Sequence, residues 1–328
     1  MTNQIDTINQ ILKGWGYTKA VTKGMSGPPV TTTSKGEVTY IDFSDRSQNY
    51  NLKGEIPSTF YTLTDLKSID LSNNLLYGTI DKGVQSLTDV TFLSIYNNKF
   101  KGNLSNVPNK VNQLQIGSNN FTTLDVSGAN NLTYLDVEGN QLTTLDVKGV
   151  TGLIKLDANG NQLTTLDVSG ATDLEILSLI GNQLTTLDVS RATGLINLDV
   201  NGNQLTTLDV KGANNISYLD VSDGNQLTTL DVGGATGLTY LDVGGNQLTT
   251  LDISGATQLI KLYASGNQLT TLDVKGFTQL NFLYVSGGNQ LTTLDVSGAT
   301  RLFELNANGN KLTTLDVSGA TDLELLDV

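Results

Sequence analysis

The octapeptide Asn-Gln-Leu-Thr-Thr-Leu-Asp-Val begins at Asn140, Asn161, Asn182, Asn203, Asn225, Asn246, Asn267 and Asn289, with Ile253 its single departure. A period of about 21 residues is too short for one unit to bury its own leucines, so a core exists only where neighbouring units stack. The chain is therefore expected to be a solenoid of short coils.

Composition narrows the function classes. The 328 residues include no cysteine and no histidine, and the net charge is −13. Chemistry that needs a thiolate, an imidazole base or a His-ligated metal is ruled out. No repeat unites an acid, a base and a nucleophile, so the expectation is a protein that is not an enzyme. Nucleic acid and anionic membrane both require a basic footprint, and neither is an expected partner. No apolar run approaches the length of about 18 residues that a membrane span requires, and the first residues lack the plan of a signal peptide.

Three segments follow one another. In residues 1–37, Ile5, Ile8, Ile11 and Leu12 have helical spacing and Gly14 with Gly16 ends the pattern, which predicts a helix over 3–14 capping one end of the array. A loop is expected over 24–36 and a strand at 38–43. Residues 38–119 open with a spacing of 24 that falls to 21 after Asn98, and residues 120–328 carry repeats of 21 or 22, all read as one continuous solenoid.

The stretch from Gly36 to Ile80 contains Gly-Glu-Val-Thr-Tyr-Ile-Asp-Phe, Gly-Glu-Ile-Pro and Leu-Lys-Ser-Ile-Asp-Leu-Ser-Asn-Asn-Leu. It resembles the opening of plant-type leucine-rich repeat proteins, without their capping cysteine pair. The later unit, Leu-x-x-Leu-x-Val-x-x-Asn-x-Leu-x-x-Leu-Asp-Val, is similar to the short leucine-rich repeats of bacteria. The resemblance implies a right-handed, β-rich solenoid with short parallel strands and a small helical cap. It further implies a scaffold for recognition or adhesion in an extracellular or cell-surface setting; a virion location belongs to the structural alternative given below.

Each column of the repeat then has an expected job. Leucines and valines form the core, with strands such as Leu135 to Val137 on one face and Leu145 to Val147 on the other. The asparagine column, Asn74 to Asn310, is expected to bond backbone groups of its own and adjacent coils, since an amide has donors and acceptors to share. Aspartates recur once per coil, including Asp146, Asp167, Asp188 and Asp209. Unit charges about 5 Å apart repel by about 0.8 kcal/mol even in water, so threonine hydroxyls or bound cations are expected to offset the ladder. Calcium is the cofactor such a row suits, although the turn of dedicated calcium-binding repeats is absent and a solvated face is the plainer reading.

Comparing units within this chain, the octapeptide half scarcely changes while the outward positions of the other strand change at nearly every step. Tyr134, Tyr218, Tyr240, Lys261, Tyr263, Phe282 and Tyr284 lie in those columns and are the expected ligand-binding residues, with Ile176 and Ile180 as a smaller apolar spot. The alternative is drift on a tolerant surface. A protein or glycan ligand is expected; the competing reading is a structural spacer or attachment fibre, as of a virus or injection particle, whose ends make the contacts. The last residues, Leu323 to Val328, stop in mid-strand and suggest a contact with another domain or subunit.

Overall fold

The computed structural model describes residues 3–25, 29–44, 50–80, 83–105 and 107–328. They form two compact units, Met1–Leu163 and Thr164–Val328.

The first unit opens with an α-helix at Gln4–Gly14, where the Asn3 side chain accepts from the Ile5 N–H at 3.2 Å. Ile5, Ile8, Ile11 and Leu12 are its buried face. Gln4 fastens the helix to the first coil, accepting from the Val38 N–H at 2.8 Å and donating to Asp65 at 2.6 Å. Trp15 follows, donating from Nε1 to the Glu55 carbonyl at 2.9 Å. The expected loop differs in one respect. Val30–Thr32 is a strand antiparallel to Val38–Asp42, because a β-branched run beside a free sheet edge pairs with it. Residues 26–28 of that loop lie outside the described residues.

From Val38–Asp42 the first unit adds strands in parallel register at Ser68–Asp70, Phe92–Ser94, Gln113–Gln115, Tyr134–Asp136 and Lys155–Asp157. A second parallel sheet runs along the other face through Lys53–Glu55, Leu75–Gly78, Lys99–Leu104 and Asn120–Leu124. The second unit has its own main face of parallel strands, Ile176–Ser178, Asn197–Asp199, Tyr218–Asp220, Tyr240–Asp242, Lys261–Tyr263, Phe282–Tyr284, Glu304–Asn306 and Leu325–Asp327. Its other face is sparser than expected. Among the described residues of this unit only Thr186–Asp188 with Thr207–Asp209, and Thr293–Asp295 with Thr314–Asp316, pair as strands there, with isolated bridges elsewhere such as Asp231 with Asp252. At Leu145 to Val147, in the first unit, the expected strand reduces to one bridge, Asp125 with Asp146. Little extended chain is left there before the next turn begins.

Inward leucines and valines fill the coils: Leu135, Val137, Leu142 and Val147 are wholly buried. The asparagine ladder is built as expected. Asn140 accepts from the Phe121 N–H at 2.9 Å and donates to the carbonyls of Ile116 and Val137, both at 3.1 Å. One side chain thus ties its own turn to two points of the coil before it. Leu325, Leu326 and Val328 are 52%, 48% and 61% exposed. Among the described residues no helix is long and apolar enough to cross a membrane.

Candidate ligand-binding face

Outward positions on the main sheet face are half-buried, flanked along the ladder by their counterparts one coil away. In the second unit this spacing brings rings into contact. Tyr218 and Tyr240 stack with centroids 4.3 Å apart and planes 10° from parallel. Tyr240 meets Tyr263 at 5.6 Å, and Tyr263 stacks on Tyr284 at 5.0 Å. The four rings form one run across four coils, moving from the first outward column at Tyr240 to the second at Tyr263. Beside it Lys261 places its ammonium 5.3 Å from the Phe282 ring centre. Phe282 also meets Phe303 edge-on at 6.2 Å, a contact the column comparison missed because Phe303 precedes the strand. Tyr134 belongs to the first unit, where the Lys155 ammonium lies 5.1 Å from its ring centre. Three isoleucines that repeat counting passed over, Ile154, Ile196 and Ile260, are exposed on the approach to their strands.

The phenols are held protonated. Burial, followed by the neighbouring aspartates, pushes Tyr134 and Tyr218 up to about 12, and the same causes raise Tyr240 further. Tyr284 is also pushed up to about 12, first by desolvation and then by the Glu304 carboxylate. At neutral pH the face therefore presents hydroxyls that donate as well as accept.

Two aspartate columns, chemically alike in sequence, behave oppositely. On the octapeptide side Asp146, Asp167, Asp188 and Asp209 are exposed, and each accepts from the backbone N–H two residues on, at 3.0, 2.9, 2.8 and 2.9 Å. Hydrogen bonds from Ser190 hold Asp188 below its usual range, and those from Ser127 do the same for Asp125. The ladder's repulsion is thus opposed by backbone donors and serines, the component absent from the expectation of threonines or cations. Lys211 and Lys275 add ion pairs to Asp231 and Asp295 at 3.4 and 3.8 Å. Among the described residues no group of three or more acidic side chains converges as a metal ion would require.

On the variable side the aspartates make the same turn, Asp136 to the Glu138 N–H at 3.1 Å and Asp242 to the Gly244 N–H at 2.8 Å, but under cover. Burial, aided by neighbouring carboxylates, raises both to about 6. At 263 and 284 tyrosine replaces this turn-capping aspartate, and here Ser265 and Ser286 join hydroxyls at 3.0 Å.

Comparison with known proteins accords with this geometry. A Leucine Rich Repeat family model matches residues 131–153, and an LVIVD repeat model matches 265–306. The functional domain of InlJ from Listeria monocytogenes, which includes a cysteine ladder, matches 98% of this chain and 73% of its own at 29% identity, with a TM-score of 0.78. The chain folds as a leucine-rich repeat solenoid. The InlJ domain includes a cysteine ladder, whereas this chain has no cysteine. Receptor like protein 23 of Arabidopsis thaliana is 33% identical over 98 residues, which are 29% of this chain and only 10% of that receptor. The leucine-rich repeat ectodomain of the Arabidopsis receptor kinase HAESA, in complex with a peptide hormone ligand, shares the fold at 21% identity and a TM-score of 0.60, over 93% of this chain and 62% of that one.

Proposed function

We propose that this leucine-rich repeat protein is a non-catalytic recognition module that binds a protein or glycan outside the cell through the variable face of its main sheet. One observation carries the reading: the coils are nearly copies of one another, yet their differences gather on that face, and in the second unit they gather as an unbroken run of four touching tyrosines. Rigid, amphipathic rings offer contact area at small entropic cost and hydroxyls for orientation. The extracellular setting is supported by likeness to InlJ and to a plant receptor ectodomain.

The test is Tyr263→Ala combined with Tyr284→Ala. Truncating central aromatic anchors commonly costs about 2 kcal/mol or more, about thirtyfold in affinity for the native partner. The variant keeps its circular dichroism spectrum and loses the partner if the reading is right. Undiminished binding favours the spacer reading, which draws support from the sameness of the octapeptide half.

A further inference from the structure

The repeat period is broken twice in the second unit: Asn203 to Asn225 and Asn267 to Asn289 span 22 residues where the neighbouring coils span 21. The extra residues fall in the turn before the asparagine. Both turns carry two consecutive residues in the left-handed region, Gly287 and Gly288 at φ 54° and 96°, and Asp223 and Gly224 at 38° and 85°. Glycine occupies this conformation freely and aspartate does not. The chain thus keeps a carboxylate at Asp223 against the backbone's preference, where the sister coil has glycine. Strain of this kind points to a use for the side chain.

Both turns border one groove of about 480 Å³, also lined by Tyr263, Tyr284 and Asp242. Gly244 and Gly245 leave part of its lining without side chains. Coils elsewhere carry Glu138, Asn159, Ile180 or Asn201 where this one has Gly244. A methyl group built on Gly244 would lie 3.1 Å from an Asp242 carboxylate oxygen, and one on Gly245 would lie 3.3 Å from Asp223 Oδ1. The two carboxylates therefore flank the Gly244-Gly245 dipeptide, with the stacked rings beside them. No lysine or arginine lines the groove.

We infer that this groove receives a lysine or arginine side chain of an extended segment of a protein partner, its charge set between Asp223 and Asp242 and its stem against the faces of Tyr263 and Tyr284. Aromatic faces attract a cation and carboxylates fix its head; a planar guanidinium also stacks on a ring, which favours arginine. The inference rests on the recognition reading and adds the chemistry of the ligand.

Three fluorescent blocked peptides serve as probes, alternating glycine with arginine, with citrulline, or with glutamate, and read by anisotropy at 0.15 M salt. The arginine peptide is expected to bind, and citrulline, its neutral isostere, about tenfold more weakly or not at all. Asp223→Asn with Asp242→Asn should weaken the arginine peptide about tenfold; the amide at 242 still accepts the turn's N–H, and a melting temperature no lower than the parent's checks the fold. Asp146→Asn with Asp167→Asn alters net charge equally and should leave binding within twofold. The inference is overturned if the arginine peptide fails to bind, if citrulline binds as well, or if the control pair weakens binding as much, which would mean diffuse attraction to an acidic chain. Loss of the native partner from the tyrosine variant, with no arginine preference, would leave recognition standing and remove only this ligand class.

Discussion

At Asn246 a single amide reaches four backbone groups: it accepts from the Leu227 N–H at 2.9 Å and donates to the carbonyls of Val221, Val243 and Gly244 at 2.9, 3.0 and 3.4 Å. No other neutral side chain of that length both gives and takes, which is why the column tolerates nothing else. Asn246→Ala strands buried backbone groups and is expected to cost about 2–4 kcal/mol. Asn246→Asp keeps the acceptor but sets a carboxylate against carbonyl oxygens, so at neutral pH it should be the worse of the two and should recover on mild acidification. Melting temperatures of both variants at pH 7.5 and 5 decide the matter; an aspartate variant as stable as the parent at pH 7.5 would contradict this account of the ladder. This much was legible in the sequence, since a polar residue recurring among buried leucines has no other job. Asp223 was not legible in the same way. Its importance depends on a positive φ and on facing Gly245, and neither is written in the local residue pattern.

Among elements, the two aspartate columns make stability depend on pH in opposite senses. Asp136 and Asp242, raised to about 6 in the fold, bind a proton more tightly folded than unfolded. Their cost is therefore complete above about pH 6 and disappears as pH falls toward the unfolded value of about 3.9. Asp125, Asp188 and Asp252 are lowered by turn hydrogen bonds, so the stability they lend is full above about pH 3.9 and is lost as pH falls through their depressed values. The melting temperature should pass through a maximum between about pH 4 and 6, standing several degrees higher at pH 5 than at 7.5. Asp136→Asn with Asp242→Asn should flatten the upper limb while preserving both turns. A melting temperature that falls steadily from pH 7.5 to 5 would refute the assignment. Sequence spacing revealed both columns as outward aspartates but not their difference, because burial on the main face comes from rings and strands of adjacent coils. The sheet of the octapeptide side was over-read for a related reason: inward Leu and Val alternate as in a strand, yet the turn made by each aspartate leaves only a short segment to pair.

For the whole molecule, the ladder fixes how coils can be exchanged. In 21-residue coils the asparagine accepts from a residue 19 positions earlier, and the 22-residue coils stretch this to 20. Removing 140–160 joins Gly139 to Asn161 and re-forms the same contacts with Phe121 in place of Leu142. That deletion is expected to leave a folded protein whose melting temperature falls by only a few degrees, since stability in such arrays is close to a sum over neighbours. Binding at the Tyr263 groove, which lies within the second unit, should be unchanged. Unfolding of the deletion variant, measured by circular dichroism, would show that the coils are not interchangeable.

That interchangeability reaches back to the gene. Stretches encoding almost identical octapeptides are natural points of misaligned recombination, and each crossover adds or removes a whole coil with its hydrogen bonds already matched at both joints. Length can change in such a lineage by steps of 21 residues without passing through an unfolded intermediate. The two coils of 22 residues differ: exchange among the 21-residue coils does not create their longer turns, so the Asp223 and Gly287 turns that border the tyrosine groove mark fixed points in an array whose other coils are interchangeable.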